Sequence, residues 1–326
     1  MCHGTRCTSW ISLHSIGIQA EGCLRDASWI RRITFQSTQL GYVYINLPFK
    51  RLLCIDSVAQ GQFGYIDLAI YETPTEKKEV YVKRPILTET LLMEACIQKL
   101  VHESLASIGF PLGSPPVVCI FALDNGSVCF AMEPIPHTKT LDRFLNQVQG
   151  PIDTIIVDCL LQLCCMLSHL HNVLGINHRD VKPSNFLIQE HDAVKKKLTV
   201  GHEHMTILSR YDLCMIDFGF ACLGSYTDGT YTTEVSLSTV YPPTDICLKS
   251  GRDMFLFLGL LYLEYHNRFS STLSTLFESW IDVNLCAFMR KNREYSMQWL
   301  YFMAGNEGIT KFTSEPVRVF RDLQKL

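Results

Sequence analysis

The sequence lacks the cysteine spacing that marks a metal or disulfide module. Its 14 cysteines include no C-x-x-C pair and fall at irregular intervals, which argues against both a disulfide framework and a zinc site. Most read as small buried hydrophobes, with Cys159, Cys164 and Cys165 inside one apolar helical run. A reducing, intracellular compartment is the expectation that follows. Long hydrophobic runs are also missing. The most apolar segment, residues 254–262, is about half of the ~20 residues a bilayer requires and reads as a buried helix, so no membrane span is expected. The N-terminal residues hold no uninterrupted apolar stretch of the secretory type. Charge is sparse as well, at 19% of residues with a net value of -3. That balance speaks against a global nucleic-acid-binding role and leaves only a local basic patch open.

What is present is a hydrophobic fraction of 47% over 326 residues, enough for a sizeable core in one large domain or two lobes. Residues 1–45 carry Cys2, Cys7, Cys23 and two tryptophans without periodicity, and are assigned only as an N-terminal extension. From Leu52 onward short β-type runs follow one another at 51–55, 64–71 and 80–83, separated by turn-forming and charged residues, which predicts an antiparallel meander. Two further strands are expected at 117–123 and 128–132 around the turn Asp124-Asn125-Gly126. Between the first three strands and these two the spacing predicts a helix over 88–101, with Leu91, Leu92, Ala95 and Leu100 on its apolar face and Thr88 as a candidate cap. After Met132 the pattern turns helical. A core helix is predicted over 154–172, with His169 and His171 near its end expected to cap or pack.

Three stretches carry chemistry. The first is Ala59-Gln60-Gly61-Gln62-Phe63-Gly64-Tyr65-Ile66. Its glycines fit either a plain hairpin turn or a loop whose amides face an anion, and Lys83 on the third strand favours the second. The second stretch is His178-Arg179-Asp180-Val181-Lys182-Pro183-Ser184-Asn185. An Asp with an Asn five residues on can offer a carboxylate to a hydroxyl and an amide oxygen to a metal, while Lys182 between them could meet a phosphate. The third is the strand 211–216 ending in Asp217-Phe218-Gly219, where a carboxylate at a strand end can point at Mg²⁺ bridging phosphates.

Over about residues 50–265 these stretches resemble the eukaryotic-type serine/threonine protein kinases, through H-R-D-x-K-x-x-N, D-F-G and a G-x-G-x-x-G-x-V loop in which Ala59 replaces the first glycine. The resemblance implies an α+β, bilobal protein-kinase-like fold. Its small N-lobe, 46–132, would be an antiparallel sheet plus one helix, followed by a hinge at 133–136 and a larger, mainly helical C-lobe at 137–326. It also implies ATP and Mg²⁺ as cofactors and protein substrates as partners. In the implied roles Asp180 orients the attacking hydroxyl and accepts its proton, and Lys182 stabilises the transferring phosphoryl group. Asn185 and Asp217 hold Mg²⁺. Ala59, Gly61, Gly64 and Ile66 cover the nucleotide, and Lys83 reaches its phosphates. Glu94 is the chosen partner of Lys83, Glu89 the second choice, and a solvated helical glutamate the alternative. The backbone near Glu133 and Ile135 would meet the adenine, with Met132 bordering the pocket behind it. Asp142 would reach the ribose or cap a helix. Lys182 two residues after Asp180 is the serine/threonine-type arrangement.

The departures from the pattern raise their own expectations. Tyr241-Pro242-Pro243-Thr244 stands where A-P-E is expected, without its Glu, which puts a C-lobe anchor in question. Asp253 is expected to brace the backbone of the catalytic loop. The run 251–259 resembles the casein kinase I-like branch, and the compact C-terminal part resembles divergent kinases encoded by large DNA viruses. Residues 189–210, with Lys195-Lys196-Lys197, His191, His202 and His204, are expected to be a solvated insertion loop; a metal site or a patch for an acidic partner is the alternative. Residues 220–243 would form an activation segment. There Thr227, Thr230, Tyr231, Thr232 and Thr233 are candidate phosphoacceptors that Arg179 could pair with, or simply part of a flexible loop. An active kinase is the leading expectation. A pseudokinase that binds partners as a scaffold is the alternative, and a small-molecule kinase the third.

Overall fold

The computed structural model describes residues 51–60, 64–72, 75–86, 90–122, 127–227, 230–237, 245, 247–305 and 313–326. The expectations placed on residues 1–45, Gly61, Thr88, Glu89, the turn Asp124-Asn125-Gly126 and Tyr241-Pro242-Pro243-Thr244 lie outside the described residues, as do the side chains of the five candidate phosphoacceptors. The chain divides into two compact units, Met1–Ile135 and Pro136–Leu326.

In the first unit, β1 (Arg51–Gln60), β2 (Gly64–Glu72), β3 (Lys77–Pro85), β4 (Val117–Ala122) and β5 (Val128–Met132) form one sheet in the order β1-β2-β3-β5-β4. Every neighbouring pair is antiparallel. Strand β5 shows how the sequence divides the faces, because successive side chains of a strand point to opposite sides. Cys129 and Ala131 join Ala69, Val80, Val82, Cys119 and Phe121 on one face, whereas Phe130 packs with Leu91 and Ala95 on the other.

That second face is covered by α1 (Leu92–Ser107), which starts four residues later than the periodicity predicts. The cause is local. Thr90 bridges Val128 of the sheet, and the Leu91 N–H donates to the Val128 carbonyl at 3.0 Å. These contacts tie Thr90 and Leu91 to β5, and the helix begins at the next residue.

The second unit opens with β6 (Thr138–Thr140), α2 (Leu141–Gln147) and α3 (Asp153–His169), the last running on through a single wide π-turn to Leu174. The helical run 153–174 meets the length and composition of a bilayer span, its most apolar 18-residue window having a mean hydropathy of 1.5. Its most apolar window is 72% buried inside the protein, so it reads as a core helix that is apolar nearly all round. Gln162, fully buried on it, donates to the Tyr211 carbonyl at 2.9 Å and so satisfies its amide within the core.

Tyr211 belongs to a long hairpin, β8 (Phe186–Val200) and β9 (Glu203–Met215), and this corrects the expectation of a solvated loop at 189–210. The physical reason is a period-two pattern running through the lysines: Lys196, Leu198 and Val200 turn inward while their neighbours stay exposed. Leu198 and Val200 are buried, and Lys196 donates to Asp212 at 2.6 Å and to Gln162 at 3.1 Å. His204 meets Thr199 across the strands at 3.0 Å. No group of three or more metal-ligating side chains occurs among the described residues.

A smaller sheet, in the order β11-β10-β7, joins β7 (Ile176–Asn177), β10 (Cys222–Thr227) and β11 (Thr230–Ser236). It is followed by α4 (Arg252–Tyr265), α5 (Ser271–Ile281), α6 (Val283–Lys291), α7 (Arg293–Gly305) and α8 (Pro316–Leu323). Two of these helices begin on side-chain caps: Ser270 accepts from the Leu273 N–H at 3.2 Å, and Asp282 from the Leu285 N–H at 2.9 Å.

Against the expectation of unpaired thiols, Cys222 and Cys247 form a disulfide that closes a span of 25 residues. Eight other cysteines whose side chains are described are buried, as their apolar settings imply. Burial pushes the thiols of Cys96, Cys165 and Cys286 up to about 12, and raises those of Cys159, Cys164 and Cys214 well above the ordinary thiol value.

Candidate functional site

In the first unit β2 and β3 set Ile66 beside Lys83, and β5 sets Phe130 on the other side of that lysine. The ammonium of Lys83 is ion-paired with Glu94 in the first turn of α1, and the two side chains are only 9% and 4% exposed. A buried charge at that depth persists only when it is paired, so this contact fixes where the ammonium sits. Glu89, the second choice, lies outside the described residues.

Gly64 begins β2 against Arg84, whose carbonyl oxygen would lie 2.4 Å from any added Cβ. Only glycine fits that approach. Ala59 is exposed on β1 opposite Ile66. The Glu133 N–H donates to the Pro116 carbonyl at 2.9 Å, and the Glu133 carboxylate takes a 2.6 Å bond from Lys78. Burial works against the charge of Lys78, yet its pairing with Glu133 holds its pKa above the ordinary value. Ile135 is buried.

In the second unit a short two-residue strand, β7, leads into the polar stretch. Asp253 in the first turn of α4 grips that stretch from below: one carboxylate oxygen accepts the His178 N–H at 2.7 Å, the other the Arg179 N–H at 2.9 Å. The expected brace is thus in place, and Asn177 adds a third donor at 3.2 Å. Between these bonds Arg179 adopts a left-handed backbone with a φ of 64°, a conformation that non-glycine residues keep only when their surroundings hold it.

Asp180, 2% exposed, is the centre of the loop. Its Oδ2 receives Lys182 Nζ at 2.7 Å and Asn185 Nδ2 at 2.8 Å. Asn185 also donates to the Asp180 carbonyl at 2.9 Å, so the Asn185 amide nitrogen is committed and its oxygen is the atom left to face a cation. The Asn185 carbonyl accepts the Ile216 N–H at 3.0 Å, which brings the end of the third stretch alongside. Asp217 follows at a φ of 65°, and buried Phe218 lies against His178 with ring centroids 4.9 Å apart. An amide oxygen and a carboxylate make an all-oxygen donor pair. That chemistry suits Mg²⁺, which is commonly held by one or two protein oxygens with phosphates and water completing its shell.

Two residues that the sequence did not flag belong to this constellation. Asp245 is fully buried and receives Lys249 at 2.6 Å and Arg252 at 2.8 Å, with Arg179 Nη1 at 3.5 Å. It follows directly on the altered A-P-E motif, and so supplies the buried carboxylate whose loss had been inferred there. Its only signal was an acid next to that motif with two basic residues, Lys249 and Arg252, shortly after it. Tyr301 on α7 donates its hydroxyl to Asp180 Oδ1, across 121 residues of sequence. Nothing local to Tyr301 could have revealed this. Asp142 lies in the first turn of α2, behind Thr140 at the N-cap position, and its buried Oδ1 has no hydrogen-bond partner among the described residues.

A family model described as "Protein kinase domain" matches residues 60–251, more than half of the chain. Among curated proteins, the chain is similar to serine/threonine-protein kinase 1 of Orgyia pseudotsugata multicapsid polyhedrosis virus. The identity is 28% over 134 residues, covering 40% of this chain and 44% of that protein. It is similar to a serine/threonine-protein kinase of Suid herpesvirus 1 (strain Kaplan), 24% identical over 154 residues, covering 47% of this chain and 40% of that one. A serine/threonine-protein kinase WARTS homolog of Caenorhabditis elegans is 26% identical over 146 residues, 43% of this chain and 15% of that protein. The chain thus spans less than half the length of each of these relatives. With the family match extending from the strand that carries Ala59 and Gln60 to the threshold of α4, the chain belongs to the protein kinase domain family.

Proposed function

We propose that the chain is an ATP- and Mg²⁺-dependent serine/threonine protein kinase. The observation that supports this is the asymmetry of Asp180: Lys182 and Asn185 hold Oδ2, which leaves Oδ1 as the oxygen that receives a hydroxyl, here that of Tyr301. In the reaction Asp180 Oδ1 takes the proton of a substrate hydroxyl as that oxygen bonds to the γ-phosphorus of ATP and the bond to the ADP oxygen breaks. Lys182 stabilises charge on the transferring group. Lys83, kept in place by Glu94, holds the nucleotide phosphates, and Gly61, Gly64, Ala59 and Ile66 cover them. The Glu133 carbonyl and the Ile135 amide meet the adenine. Asn185 and Asp217 hold Mg²⁺, which supplies positive charge to the phosphates. Most of the acceleration in such a site comes from positioning and fixed electrostatics.

The test is transfer of labelled phosphate from ATP to a generic protein substrate by the wild type and by Asp180→Asn and Lys83→Met. The expected outcome is a loss of at least roughly a hundredfold in each variant. Equal signal from all three would remove the catalytic reading and leave the pseudokinase scaffold in its place.

A further inference from the structure

The loop leaves one oxygen of its central carboxylate to the outside, and that oxygen is taken. Asp180 Oδ1 accepts the hydroxyl of Tyr301, while its other oxygen is held by Lys182 and Asn185. The Asp180 side chain is 3% exposed, so a second hydroxyl has little room to approach beside the first. A phenol donating to this oxygen stands in the same chemical relation to Asp180 as an acceptor serine or threonine about to give up its proton.

Tyr301 is brought there by helix packing. Its neighbour Leu300 is fully buried and seats against Gly259 of α4, where an added Cβ would lie 2.6 Å from the leucine. The glycine thus lets α7 approach closely enough for the next side chain to reach the loop. Yet α7 commits only Ser296, Leu300 and Ala304 to the interior, and exposes Tyr295, Met297, Trp299 and Phe302. A narrow buried stripe is one of the features of elements that open locally.

We propose that Tyr301 is a built-in mimic of the substrate hydroxyl: it fills the acceptor position at Asp180 and must withdraw before a protein substrate can be phosphorylated. This inference rests on the reading of Asp180 as the base. It adds a competitor for the acceptor position and makes α7 the element that controls access.

The experiment measures steady-state phosphorylation of dephosphorylated casein by the 326-residue wild-type chain, Tyr301→Phe and Tyr301→Ala, with thermal denaturation to verify folding. Removing the hydroxyl while keeping the ring is expected to lower the KM for casein about tenfold, the value of one charge-assisted hydrogen bond, with kcat undiminished and the KM for ATP unchanged. A silent wild type beside an active Tyr301→Phe is the stronger form of the same result. A fall in kcat at unchanged KM overturns the proposal, because Tyr301 would then be orienting the base. Identical kinetics overturn it too, and leave the kinase reading standing. Silence of wild type and variants alike removes the kinase reading and this inference together.

Discussion

Arg179 and Asp245 meet inside the second unit, the guanidinium 3.5 Å from the carboxylate and the side chains 1% and 0% exposed. Arg179 also donates to the Phe220 carbonyl at 2.8 Å and to Ser236 at 2.7 Å. The arginine that sequence reasoning offered to a phosphate is thus already held by internal acceptors. Asp245→Ala is expected to leave three cations around a buried gap and to cost about 3–5 kcal/mol. Urea denaturation of the purified variant measures this, and a cost below about 1 kcal/mol would show that the cluster does not anchor the unit.

Asp253 offers a second, separable test. Asp253→Ala leaves the N–H groups of His178 and Arg179 buried without their acceptor, at roughly 1–3 kcal/mol for each. Since those bonds also hold Arg179 in its left-handed conformation, phosphotransfer should fall by more than the folded fraction does. Activity corrected for folding by near-ultraviolet circular dichroism checks the difference.

The bridge between Cys222 and Cys247 predicts that a peptide map made without reductant contains those two peptides linked. Replacing both cysteines with alanine should lower stability by roughly 3 kcal/mol, the loop-closure value for a span of this length. A map showing two free, alkylatable thiols at these positions would contradict it.

Buried thiols give the protein an alkaline limit. Burial holds Cys96, Cys165 and Cys286 protonated up to about 12 in the folded state, whereas in the unfolded chain they ionise near the ordinary thiol value. Their contribution is therefore fully present below about pH 8.5 and declines as pH rises from there toward about 12, by about 1.4 kcal/mol per unit for each group. Melting temperatures from pH 7 to pH 11 should be flat at first and then drop, and replacing Cys96 with alanine should make that drop shallower.

The parts of this protein that could be read from its sequence are those whose chemistry is local. Asp180, Lys182 and Asn185 lie within six residues of one another, and the alternation in 64–71 and 80–83 marks strands directly. The Lys83 and Glu94 pair needed only a strand and the helix that follows it. Contacts closed by tertiary packing were invisible: Tyr301 reaches Asp180 because Leu300 finds Gly259, and Asp245 gathers its cations only once α4 has docked. The lysine run at 195–197 misled for a different reason. Three adjacent charges read as solvated surface, while the alternation on either side of them, which decides the matter, extends past Val200 into the return strand.

The hairpin also acts as a calliper. Phe186 pairs with Met215, so Asn185 enters one arm and Asp217 leaves the other two residues beyond the pair. The gap between those two residues is then set by a backbone ladder at its base, not by the length of chain that separates them. Lengthening or trimming the tip by whole residue pairs would leave the jaws at the same opening, whereas a slip of one residue would turn them out of line.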